Sequence, residues 1–169
     1  MAGIIVSGGT FSGSGDMTTD YIFVYSGSYI AGDGTTSIIG TGVHPHAGSA
    51  TAFSTRYWAG GVGGTFDANG GTVSFDGPLQ QFIRGVNNST ALTFYNLKTS
   101  GGKYLKQLRD ITLIVDKELT ILDASIFGAE SPSTGWTVKG DVGITSGTIN
   151  LYDRQPQSAV LVNPSSVQF

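Results

Sequence analysis

The chain has 169 residues, a net charge of −3 and no cysteine, which excludes a disulfide framework, thiolate metal sites and thiol redox chemistry. Glycine reaches 26 residues and charged residues only 12%, against about 25% in an average globular domain. Glycine costs about 1 kcal/mol inside a helix but suits tight turns, so the composition predicts an almost entirely β chain.

An apolar share of 39% is enough for a core, and the length suits one domain or one elongated stack of repeats. The opening segment, Met1 to Gly8, lacks the basic start and long apolar run of a secretory signal. No apolar run approaches the ~18 residues that span a bilayer, so no membrane partner is expected. Between Met1 and Thr55 stand Asp16, Asp20 and Asp33 but no Lys or Arg. With a net negative charge, nucleic acid is not an expected partner either.

In chain order, strands are expected at Ile4–Ser7 and Tyr21–Tyr25, each bounded by Gly, Ser or Asp. His44-Pro45-His46 follows and is the only histidine pair. In an extended segment its two rings would lie on one side, about 6–7 Å apart, and three copies around a threefold axis would offer six imidazoles to a metal. No third ligand stands nearby for a single-chain site, so the sequence favours exposed loop histidines beside a turn-forming proline. Arg56-Tyr57-Trp58, before Ala59-Gly60-Gly61, has the residue types of an interface anchor or a sugar-stacking platform, although the sequence favours Trp58 as a core residue. Segment 1–60 reads as a β segment of uncertain type, and 61–169 as a β-repeat region continuous with it.

Further strands are expected at Thr72–Phe75, Leu92–Leu97, Ile111–Val115, Leu119–Leu122, Thr148–Tyr152 and Ala159–Val162. Lys103–Asp110 is the one segment with a helical spacing, Leu105 and Leu108 standing three apart. Gly71-Thr72-Val73-Ser74-Phe75 recurs as Gly147-Thr148-Ile149-Asn150-Leu151, and Leu97, Leu105, Leu113 and Ile121 follow one another at steps of eight. A strand of about five residues plus a turn of about three gives that interval, and three such sides would complete one turn of a parallel β-helix. An antiparallel sandwich or jelly roll would give a similar spacing and is the alternative architecture.

The stretch from Gly64 to Gly77, then Gln80-Gln81-Phe82-Ile83, then Thr93-Phe94-Tyr95-Asn96-Leu97, resembles the glycine-rich β-helical repeats of bacterial and phage surface proteins. The resemblance runs to near Ile121, echoes weakly at 147–160, and fits segment 1–60 poorly. It implies surface or fibre architecture, not one activity.

The acids form no convincing catalytic pair. Glycosidases need two carboxylates roughly 5–9.5 Å apart, but only Glu118 and Glu130 are glutamates, and aspartates such as Asp33 and Asp76 precede glycine in turns. Thr99-Ser100-Gly101-Gly102-Lys103-Tyr104 lacks the hydroxyl residue that follows Lys in a phosphate-binding loop. No cofactor is expected. The expected function is therefore that of a non-enzymatic virion protein: a capsid decoration or cement subunit, a head fibre or a tail component. It would act as a homo-oligomer, a trimer being favoured, among other virion proteins, with host surface polysaccharide a further candidate partner. A bacterial adhesin or extracellular filament subunit and a carbohydrate-binding or carbohydrate-cleaving module are the alternatives.

Overall fold

In the computed structural model, the described residues are 2–44, 48–55, 63–85, 91–101, 105–109, 112–122, 126–129, 136–145, 148–150, 152–153, 155–156, 159–161 and 167–168. They form strands and turns with no helix. The first passes comprise β1 (Ile4–Ser12), β2 (Met17–Thr19), β3 (Ile22–Ile30), β4 (Thr35–Ile38), β5 (Gly42–His44), β6 (Gly48–Ser54), β7 (Thr65–Asp67) and β8 (Thr72–Phe75). The middle holds β9 (Gln81–Arg84), β10 (Ala91–Thr99), β11 (Leu105–Arg109) and β12 (Thr112–Ile121). The remainder holds β13 (Ile126–Ala129), β14 (Trp136–Val138), β15 (Asp141–Ile144), β16 (Thr148–Asn150), β17 (Tyr152–Asp153), β18 (Gln155–Pro156), β19 (Ala159–Leu161) and β20 (Val167–Gln168).

Two parallel sheets hold nearly all of these strands. One runs β1-β3-β6-β9-β11-β13-β16, the other β19-β14-β12-β10-β8-β4-β2. Antiparallel pairing is confined, among the described residues, to β5 with β6 and β17 with β18. The antiparallel sandwich is thereby set aside. Both sheets run across residue 60, since β3 pairs with β7 and β4 with β8.

The pairing registers divide the strands more finely, into three runs. Ile4 to Val6 of β1 pair with Ile22 to Val24, and Thr10 to Ser12 pair with Ser28 to Ile30, with register shifts between. The first half of β3 then pairs with β6 and the second half with β7. Further on, β10 and β12 shift register between Phe94 and Asn96, where Asp116 and Lys117 stand opposite Tyr95 alone. At the same level the next pass is interrupted outright, β14 and β15 being separate partners of β12. An extra residue bends a strand locally, so aligned irregularities make a corner. Two side-chain contacts link that corner across passes: Lys117 over the Tyr95 ring at 5.5 Å, and the exposed ion pair of Lys139 Nζ with Asp116 Oδ1 at 2.7 Å.

The chain alternates between the two sheets as it proceeds. Val73, Leu97, Leu119 and Val142 stand in register, so the passes that separate them are nearly equal in length. Each is close to three of the steps of eight read from the sequence. Earlier passes are less even: the one from Ile4 to Ile22 is short, and the one from Ile22 to Phe53 is long.

The inward side chains of all three runs meet in one core. Ile22, Phe53 and Ile83 come from the first run, Tyr29, Phe94 and Val115 from the second, and Ile38, Phe75, Leu97 and Leu119 from the third. Aromatic rings stack along it: Phe11 on Tyr29 at 5.7 Å, Tyr29 on Phe66 at 5.7 Å, and Phe66 against Phe94 at 5.2 Å. Such pairs contribute about 0.5–1.5 kcal/mol each beyond the area they bury. Close stacking also dictates glycine at a corner. Gly27 has φ +82°, and a Cβ there would run into the backbone of Gly8 and Gly9 in the preceding pass.

Two sequence signals take a different form in the structure. Leu105–Arg109 is a strand, paired through its backbone with β9 and β13, so the helical spacing over Lys103–Asp110 is overridden by two parallel neighbours. The repeat Gly71–Phe75 and its copy at 147–151 occupy different sheets: Thr72–Phe75 is β8, while Thr148–Asn150 pairs with β13. The likeness reflects shared turn-and-strand chemistry and not equivalent places in the fold.

Candidate interaction surfaces

The residues singled out from sequence contribute little described geometry. His44 ends β5, its backbone opposite Gly48 of β6. Its side chain, all of His46, and Arg56, Tyr57 and Trp58 lie outside the described residues. Among the described residues no three His, Cys, Asp or Glu side chains gather as a metal would require, and no helix is long and apolar enough to cross a membrane.

The acids near the corners hold the backbone in place. Asp76 Oδ1 accepts hydrogen bonds from Ser74 Oγ at 2.6 Å and from Ser100 Oγ in the next pass. Asp16 Oδ1 accepts the Thr35 N–H at 2.8 Å. Buried Gln81 clips three segments together. Its Nε2 donates to the carbonyls of Ile38 at 3.0 Å and Gly40 at 2.8 Å, while its Oε1 accepts the Gly77 N–H at 3.1 Å. Burial raises the Tyr29 phenol above its ordinary pKa, opposed by a hydrogen bond with Thr36 at 3.3 Å. Burial also raises Tyr25, with neighbouring Tyr21 adding to it.

The outward face of the third run presents a polar ladder. Thr35, Thr72, Asn96, Glu118 and Asp141 stand in register, and beside them Ser37, the buried Ser74, Lys98, Thr120 and Gly143 form a second column. Thr120 Oγ1 donates to Glu118 Oε1 at 2.6 Å, and Asn96 Nδ2 donates to Thr72 Oγ1 at 3.4 Å. A shallow groove of about 260 Å³ lies over these columns, lined by Thr35, Thr72, Asn96, Leu97, Lys98, Glu118 and Thr120. Hydroxyl, amide, ammonium and carboxylate groups in a row can hydrogen-bond a polyhydroxylated ligand. No aromatic ring lines the groove to stack on a sugar face.

The least expected surface is the N-terminal end of the stack. β1 closes one sheet and β2 the other, each with a neighbour on one side only among the described residues. Ile5 and Phe11 on β1 are 52% and 38% exposed, unusual for large apolar side chains in this chain. From Met1 to Gly15 there is no charged side chain. Edge strands are ordinarily blunted by Lys, Pro or short length, and β1, at nine residues, has none of these. The sequence signal was available as that charge-free, proline-free opening, but only topology identifies it as an edge.

Comparison with models of protein families, with curated proteins and with solved structures returns no match.

Proposed function

We propose that the chain is a three-sided parallel β-helix serving as a non-enzymatic structural protein of a virion: a decoration or cement subunit, a head fibre or a tail component. The solenoid reading is supported by parallel registers that pass from each strand to one about a turn later, and by strand breaks that stack into a corner. The observation that carries the assembly reading is β1, a long, uncharged and largely exposed edge strand. Such an edge is a template for pairing with another chain. Side-by-side packing of three stacks, the trimer expected from sequence, leaves edges at the stack ends uncovered, so end contacts and lateral contacts are separate features of the assembly.

The test is electron microscopy of the purified chain and of particles from the organism that encodes it. Stacked rungs about 4.8 Å apart, in a body found on a capsid or tail, are the expected result. Particles without density of this size and shape would refute the virion reading, and a body without rungs would refute the solenoid.

The polar groove favours a second reading, a module that contacts surface polysaccharide. Retained binding to a polysaccharide panel, lost in Lys98→Ala and Thr72→Val, would support it. A panel without binding would remove it.

A further inference from the structure

We infer that the N-terminal end of the stack is a self-pairing surface: β1 of one copy pairs antiparallel with β1 of a second copy across a two-fold axis, joining two stacks end to end. This deepens the assembly reading and rests on it.

Residues Ile5 and Ser7 to Ser12 of β1 are exposed, leaving a row of backbone donors and acceptors open along the strand's free side. The corners of this first pass are also those of an interior pass. Within the stack, Gly27 is bare because the backbone of Gly8 and Gly9 lies against it. Gly9, at φ +65°, repeats that corner at the level of β1, yet nothing lies within 4 Å of where its Cβ would be. Solenoid ends are ordinarily closed by a cap with a polar outer face. Here the end exposes one face of the ring stack instead, with Phe11 covered by Tyr29 on its inner side.

The occupant is fixed by charge and length. A strip with no charged side chain from Met1 to Gly15 gives no handle to an acidic or basic partner, and it meets its own copy without repulsion. Among the described residues, the opposite end of the stack offers short strands of three, three and two residues, with the β17–β18 hairpin between β16 and β19. Among the described strands at the two ends of the stack, a second β1 matches the nine residues of β1. Turned over about a two-fold axis near Gly8 and Gly9, the first run of one copy lies over the second run of the other. The free face of Phe11 then meets the Ile4–Val6 segment of the second copy. The interface is closed, because both edges are consumed.

The test is sedimentation of the full chain and its variants. The unaltered chain is expected to join end to end in pairs, as a dimer of single stacks or as a hexamer of two laterally packed trimers. Ser7→Lys with Thr10→Lys puts like charges across the axis and should weaken that pairing more than about tenfold. Ser7→Glu with Thr10→Glu should do the same, and mixing the two variants should restore a mixed pair. Leu79→Lys, at an exposed apolar residue elsewhere, should leave the mass unchanged. Circular dichroism checks that each variant folds. An oligomer insensitive to both edge variants, or open filaments, would overturn the two-fold edge while leaving assembly standing. A monomer at every concentration, with the chain folded, would overturn the edge and self-assembly together.

Discussion

Thr99 gives the sharpest check on the packing, because replacing a polar group there should stabilise the chain. It stands in register between Phe75 and Ile121, both fully buried, and is itself buried. Its Oγ1 is shielded from solvent and has no hydrogen-bond partner. An unsatisfied buried hydroxyl costs about 1–3 kcal/mol. Valine keeps the β-branched shape, so the same rotamer is retained while a methyl replaces the hydroxyl. The gain for Thr99→Val should therefore be about 1–2 kcal/mol, or a rise in Tm of about 3–6 °C for a chain of this size. Thr19 supplies the contrast. It is equally buried, but its hydroxyl donates to the carbonyl oxygens of Ala2 at 3.1 Å and Tyr21 at 3.2 Å, so Thr19→Val should lose stability. Thermal and urea unfolding of the two variants decide the matter. A Thr99→Val protein no more stable than the parent, or a Thr19→Val protein stabilised as much, would refute the account.

Other outcomes follow from the core and corners. Phe94 lies 5.6 Å from Phe53, 5.2 Å from Phe66 and 6.4 Å from Phe75, so Phe94→Ala opens a cavity where three runs meet and should cost about 3–5 kcal/mol by urea titration. Gln81→Leu removes the clip between Gly40 and Gly77 and should cost about 2–4 kcal/mol, seen as a lower unfolding midpoint. Gly27→Ala combines a positive φ with a clash against Gly9 and should cost about 2 kcal/mol or more, with Gly70→Ala, whose Cβ would be in open space, as the milder comparison. Because burial raises the Tyr29 pKa, the unfolded chain releases that proton first. This contribution is complete below about pH 10 and lost as pH rises through the folded value, so Tyr29→Phe should flatten the alkaline limb of stability against pH.

How much of this could be read in advance varied with the residues. The strand Thr72–Phe75 matches expectation at both ends, because Gly71 and Asp76-Gly77 punctuate an apolar run on each side. Steps of eight from Leu97 to Ile121 proved more informative than the repeated pentapeptide. On the proposed solenoid, Leu97, Leu105, Leu113 and Ile121 mark successive sides, whereas five residues of turn-and-strand chemistry recur wherever a corner meets a sheet. The expected pair Ile111–Val115 and Leu119–Leu122 became one strand, β12, since the shift near Asp116–Lys117 bends the chain without ending its pairing. Strand β9 reads poorly because Gln81 and Arg84 are polar yet buried, as are Phe82 and Ile83 between them, leaving no alternation to detect. The charge-free opening from Met1 to Gly15 is visible in the sequence, but that Ile4–Ser12 is an edge depends on what pairs with it, which only topology gives.

On the proposed solenoid, pairing of each pass with only its two neighbours has a mechanical corollary. Load or heat applied at one end of the molecule reaches the other end only by relay, so the body should come apart by peeling from its extremities, sparing its middle until last. Shortened versions cut between passes, after Leu122 for example, would retain a complete remnant, in contrast to a globular protein sliced through its heart.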